Sequence, residues 1–319
     1  MAIHILRFTR NDQIFWGVIE KNKVYPLSLT SECTTTKALV SLGIQELLKA
    51  KSETAQFSID EVEVLSPITS DAKIICQGAN YRQHMIDAGM NPDDKKFNMF
   101  FTKSSASIHR PTGVIQKPKH VQLLDYEIEL CLILKKAIHE TVNVTQNNLH
   151  EYVAGICMGN DISARDIQIP QTQFFKGKSY RTFCPLGPVL CLLEAEEMHY
   201  LDDLKLTLKV NQQVRQQDST ANMVFKPTET LTEMSAIINF EAGDVIMTGT
   251  PSGCALSLPA PWLVKATGLL PEQKKWQLFI QMQKNNGRYL NHGDTLELMI
   301  QSSDGKVHLG QQSHHIQDL

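Results

Sequence analysis

The chain has 319 residues, with 31 Lys or Arg against 34 Asp or Glu, a formal charge of −3. That balance excludes a basic nucleic-acid binder, and 42% hydrophobic with 20% charged residues excludes a disordered chain and supplies a large core. No apolar run reaches the roughly 20 residues of a membrane span. The opening seven residues carry too short an apolar stretch for a signal peptide. Seven scattered cysteines without a CxxC pair are expected to be free thiols of a cytoplasmic protein.

In chain order, Ile3 to Phe8, Ile14 to Ile19 and Lys23 to Pro26 are separated by polar turns, the pattern of a small β-meander. Ala38 to Leu48 has the apolar spacing of a short amphipathic helix. Pro67 follows the strand-like Val62 to Leu65 and marks an expected boundary. Residues 1–66 then read as a small β-rich N-terminal domain and 67–319 as the main domain. Beyond the boundary, short apolar runs recur between Gly, Pro and Asn/Asp turns, at Lys73 to Cys76, Glu127 to Leu134, Tyr152 to Met158, Pro188 to Leu193 and Asp244 to Thr248. Such irregular strands with few long helices predict a β-rich α+β fold. The absence of a GxGxxG after a strand sets a Rossmann fold aside. Residues 257–291 read as an insertion, with an amphipathic helix from Pro271 to Lys284, before closing strands at Asp294 to Ile300 and Lys306 to Leu309.

The chemistry concentrates in Asp125-Tyr-Glu-Ile-Glu129. Alternation along a strand sends Glu127 and Glu129 to one face and Tyr126, Ile128 and Leu130 to the other. Two carboxylates leading into an unbroken apolar run repel one another unless they are protonated or share a cation, although an edge strand with a solvated acidic face accounts for the same pattern. Asp161 stands where the apolar strand Tyr152 to Met158 gives way to Gly159-Asn160, a place for either a turn cap or a third ligand. Three carboxylates without a Cys/His ligand pattern describe a hard oxygen site for Mg²⁺, with Mn²⁺ or Ca²⁺ as alternatives. Thr250, between Gly249 and Gly253, reads either as a hairpin or as a turn whose amides face an anion. Other enzyme signatures fail. No GxSxG encloses a serine, and Asn143 and Ala154 stand where the second His of HExxH belongs.

Five ordered segments carry a further signal: Gly78-Ala-Asn-Tyr-Arg-Gln-His84, Asp125-Tyr-Glu-Ile-Glu129, Gly159-Asn-Asp-Ile-Ser-Ala-Arg-Asp166, Phe183-Cys-Pro-Leu-Gly-Pro188 and Thr248-Gly-Thr-Pro-Ser-Gly253. Together they resemble the fumarylacetoacetate hydrolase family. The resemblance implies a mixed β-sheet roll or sandwich, usually dimeric, with Glu127, Glu129 and Asp161 as ligands of a Mg²⁺-like ion. It implies Lys178 at the substrate beside the metal, with Lys176 as its solvated twin, and Gln168 as a substrate contact. Arg165 and Asp166 are expected to be structural ion-pair partners. His84 is the expected general base, on a short helix capped by Asn80 and ended by Gly89, with Asp87 one turn on to orient its ring. The family more often has Glu at that position, and Gly-Val-Gly where this chain reads Gly253-Cys-Ala255. The first expectation is a metal-dependent hydrolase that cleaves a carbon–carbon bond in acylpyruvate-type keto acids through an enolate. The alternatives are a decarboxylase or keto–enol isomerase of a related oxo-acid, or a non-catalytic metal or metabolite binder.

Overall fold

The computed structural model describes residues 2–257 and 270–319. Its architecture is a β-rich α+β fold built on two sheets. Among the described residues the larger sheet has eleven strands, running Phe57–Ser58, Lys23–Pro26, Gln13–Glu20, Ile3–Arg10, Val189–Leu192, Val153–Asn160, Ile128–Leu134, Val245–Met247, Ile74–Gly78 and Met99–Lys103, with Glu63–Leu65 added beside Ile3–Arg10. The smaller has five, in the order Gln213–Ser219, Leu204–Val210, Thr295–Ser302, His308–Asp318 and Thr112–Lys117. Ile3–Arg10, Gln13–Glu20 and Lys23–Pro26 form the expected meander, yet Ile3–Arg10 pairs antiparallel with Val189–Leu192, so the N-terminal strands extend the main sheet. The helix Glu272–Lys284 lies where the apolar spacing places it. Residues 258–269 of the expected insertion lie outside the described residues.

The strand Ile128–Leu134 shows why the core sits where it does. All seven of its residues are buried. Ile128, Leu130, Leu132 and Leu134 join the core that also holds Leu206, Leu208, Leu296 and Leu298 of the smaller sheet, while Cys131 and Ile133 join a second core with Leu39, Val40 and Leu47 of the helix Thr36–Ala50. Each methylene removed from water there contributes about 0.8 kcal/mol. A strand covered on both faces is central, not an edge, so the solvated acidic face is excluded.

A candidate metal and proton-transfer site

Glu127 and Glu129 are delivered by the start of this central strand, and Asp161 by the turn after its partner Val153–Asn160, in a register that sets Ile128 against Asn160. Glu127, Glu129 and Asp161 are 5%, 2% and 0% exposed. Each offers an oxygen within 4.8 Å of the others. The backbone pins the group: Asp161 N–H donates to the Glu127 carbonyl at 2.8 Å, Asn160 Oδ1 accepts from Glu127 N–H at 3.0 Å, and Gly249 N–H donates to Glu129 Oε2 at 2.8 Å. The turn at Thr250 thus presents the Gly249 amide to a carboxyl oxygen of the protein's own Glu129.

Three buried cations balance the carboxylates. Lys178 Nζ donates to Glu127 Oε2 at 2.6 Å, to Ser163 Oγ at 2.8 Å and to Asp161 Oδ2. Lys103 Nζ donates to Asp161 Oδ1 at 2.6 Å, with both side chains fully buried. Arg165 joins Asp125 at 2.8 Å through Nε and Glu127 through a terminal nitrogen. Burial pushes the Glu127 carboxyl up, but Arg165 and Lys178 outweigh it and hold it well below the usual range. Among the described residues no cation is ion-paired with Glu129; burial, with Asp161 and Glu127 beside it, raises its carboxyl well above normal against the opposing charge of Lys178. Burial would lower Lys178, yet Asp161 and Glu127 raise it, so it stays an ammonium. A divalent ion fits this donor set: three oxygen donors converge, and the group least able to ionise is the one with no ion-paired cation among the described residues.

Lys178 reaches the site because Gly177 has no side chain. A Cβ there would lie 2.8 Å from Gln168 Cβ and 3.0 Å from its backbone, so only glycine lets Phe174–Lys178 pack on Arg165–Gln171. Lys176 is exposed and bonds Gln171, as its role of solvated twin requires.

Other expectations need correction. Asn80 does not cap the helix Arg82–Asp87; its side chain bonds Phe225 and the Thr248 carbonyl, tying the turn after Met247 to a distant loop. Asp87 does not hold His84, because its carboxylate accepts from Gln83 Nε2 at 2.8 Å and from Ser252 Oγ. Arg165 and Asp166 do not pair with each other: Asp166 accepts from the Gln122 and Leu123 amides. Thr250 donates to the Ile128 carbonyl at 2.9 Å and accepts from Gln216 at 2.8 Å, so its hydroxyl serves the turn. Gln168 is buried and accepts from Arg165 at 2.8 Å.

His84 is half-buried on its helix, within 4.8 Å of a Glu127 oxygen and the Cys254 thiol. Burial lowers its pKa, opposed by Glu127 and reinforced by Arg165. Burial and Arg165 thus favour the neutral imidazole. Lys103 and Gln216, which lie in no motif, complete the surroundings together with Cys254, one of the departures from the family pattern. Lys103 had a readable signal, a lone charge closing the apolar strand Met99–Lys103.

A model of the fumarylacetoacetate (FAA) hydrolase C-terminal domain matches residues 73–317. An oxaloacetate tautomerase of Bacillus subtilis is 35% identical over 212 residues, 66% of this chain and 69% of that protein. A mitochondrial oxaloacetate tautomerase of Homo sapiens is 35% identical over 208 residues, 64% of each chain. This chain thus spans about two thirds of the length of these curated relatives. Among solved structures, a fumarylacetoacetate hydrolase from Exiguobacterium antarcticum superposes with a TM-score of 0.74 at 27% identity, covering 99% of this chain and 100% of that one. With the matched domain spanning most of its length and the acidic triad in place, the chain belongs to the fumarylacetoacetate hydrolase family.

Proposed function

We propose that this protein is a divalent-metal-dependent keto–enol tautomerase of a small 2-oxo-dicarboxylic acid of the oxaloacetate type. The observation that carries this reading is His84, which stands beside the carboxylate cluster and, among the described residues, has no carboxylate hydrogen-bonded to its ring. Tautomerisation asks only that a proton be moved between carbon and oxygen. Hydrolysis, the first expectation from sequence, asks for an attacking water and a well-oriented base, and Asp87 is engaged elsewhere. The relatives named as oxaloacetate tautomerases support the same choice.

Glu127, Glu129 and Asp161 would hold Mg²⁺ or Mn²⁺, which supplies Lewis-acid polarisation of the keto oxygen. His84 takes the proton from the carbon next to the keto group and returns one to the enolate oxygen, leaving the mass unchanged. Lys178, kept charged by its carboxylate neighbours, stabilises the negative oxygen. Gln168, oriented by Arg165, lies one turn along the same helix as a substrate contact. A cavity of about 680 Å³ opens beside Gln83 and the Ser252–Gly253 turn, and Arg82, Arg215 and Arg288 line it. Arg215 Nε is buried without a partner among the described residues. This cavity would receive the distal carboxylate. In solution the chain would form the homodimer common in this family, which light scattering tests.

The test follows the enol ultraviolet absorbance of oxaloacetate with Mg²⁺ or Mn²⁺, with and without EDTA, for the parent and for Glu129→Ala. Metal-dependent interconversion without loss of mass, abolished in Glu129→Ala, is expected. Release of pyruvate with a second acid from an acylpyruvate, without tautomerase activity, would overturn the reading in favour of hydrolysis.

A further inference from the structure

We propose that His84, Cys254 and Glu127 form a second cation site, for a thiophilic divalent ion of the Zn²⁺ or Co²⁺ class, whose filling switches off the neighbouring chemistry. One ligand atom from each lies within 4.8 Å of the others, so the three surround a common point. Nitrogen, thiolate and carboxylate oxygen are the donors zinc prefers, and three protein ligands leave a fourth position for water.

The two oxygens of Glu127 divide the site. Oε2 accepts from Lys178 and Ser163, on the side shared with Asp161. Oε1 lies 3.7 Å from Cys254 Sγ. A soft ion on the Oε1 side therefore has a carboxylate oxygen that the hard-ion side does not require. Arg165 donates to Oε1 as well, so the ion would share that oxygen with the guanidinium, whose Nε remains paired with Asp125 and so keeps a counter-ion.

Cys254 is held in this position by its turn. Gly253 has φ +112°, and a Cβ there would lie 2.1 Å from the Arg215 carbonyl, so the turn presses onto the strand Gln213–Ser219. Gln216 Nε2 lies 3.5 Å from the sulfur, and Arg288 donates to the Gly253 carbonyl at 2.7 Å. His84 has neither ring nitrogen hydrogen-bonded among the described residues, which leaves one free to ligate. Binding would displace the thiol proton to solvent. It would also tie up the base that the tautomerase reading requires; the inhibitory part of the proposal rests on that reading, and the binding part does not.

The full-length protein is titrated with Co²⁺ in the presence of saturating Mg²⁺, following near-ultraviolet thiolate-to-cobalt absorbance and bound cobalt per chain. The expected result is one thiolate-bound Co²⁺ that excess Mg²⁺ does not displace. That band should disappear in Cys254→Ala, weaken at least tenfold in His84→Ala, and survive in Glu129→Ala, which damages only the hard-ion site. Absence of the band in the parent, or its persistence in Cys254→Ala, overturns the proposal. Two variants at different elements keep the result readable if one folds poorly. In the activity arm, Zn²⁺ should inhibit the Mg²⁺-loaded enzyme, and Cys254→Ala should need at least tenfold more Zn²⁺. Equal inhibition of parent and Cys254→Ala would overturn the switch. If oxaloacetate is not turned over at all, the tautomerase reading and the switch fall together, and the cobalt titration still judges the site.

Discussion

At the residue scale, His84 and Asp87 separate two mechanisms that share one set of ligands. General-base catalysis contributes about 10²–10⁴-fold, so His84→Ala should lower kcat by at least 100-fold while Mg²⁺ affinity, measured by calorimetry, holds. Asp87→Asn should cost less than tenfold, because Asp87 bonds Ser252 and Gln83 and not the imidazole. A loss in Asp87→Asn equal to that of His84→Ala would restore the dyad expected from sequence. Since burial lowers the His84 pKa, the acid limb of kcat/KM should have its midpoint below 6.5. The buried Lys103–Asp161 pair invites a different test. Lys103→Met removes one of the two buried cations on Asp161 and leaves Lys178 as its remaining partner, a change worth up to about 3–5 kcal/mol, and Mg²⁺ should recover part of that loss in denaturant titrations.

At the element scale, a five-residue helix places Lys178. Its position depends on the contact at Gly177, where an added methyl would meet the Gln168 backbone. Overpacking of this kind costs about 1–3 kcal/mol. Gly177→Ala should lower the denaturation midpoint by that amount and reduce kcat more than tenfold; a variant with unchanged kcat would show that the lysine reaches the site by another route. The strand Ile128–Leu134 contrasts with this helix. Its apolar run, buried on both faces, gives Glu127 and Glu129 a rigid base, which the helix lacks.

At the scale of the whole molecule, acid stability follows from histidines far from the site. His314 is 2% exposed, its pKa is lowered to about 4, and burial is the main cause. The unfolded chain takes up its proton near 6.5 while the folded chain does not, so this contribution is intact above 6.5 and is lost as pH falls towards 4. The shift corresponds to on the order of 3 kcal/mol. His4, stacked on His308 with ring centroids 4.2 Å apart, is also lowered to about 4 and acts in the same direction. Unfolding of parent and His314→Gln between pH 7 and 4 should show a shallower decline in the variant; parallel curves would rule out this group as the cause.

Local patterning set Glu127 and Glu129 on one face and Asp161 at a strand end, and it took the family resemblance to favour three ligands over an edge strand and a turn cap. Period-two alternation fixes which side of a strand a residue takes, so Glu127 and Glu129 were paired before any fold was known. The position of Asp161 at the end of an apolar run, the meander and the helix Glu272–Lys284 were legible for the same reason, because each depends on neighbours in the chain. Partner choice depends on separation in space. The chain could not say that Asp87 turns to Ser252, that Asn80 reaches Phe225 in place of a helix end, or that Arg165 chooses Asp125 and Glu127 over Asp166. Nor could it bring Lys103 to Asp161, 58 residues away, or Cys254 to His84. Buried charges seek the nearest opposite charge that packing allows, and only the closed sheets decide which that is.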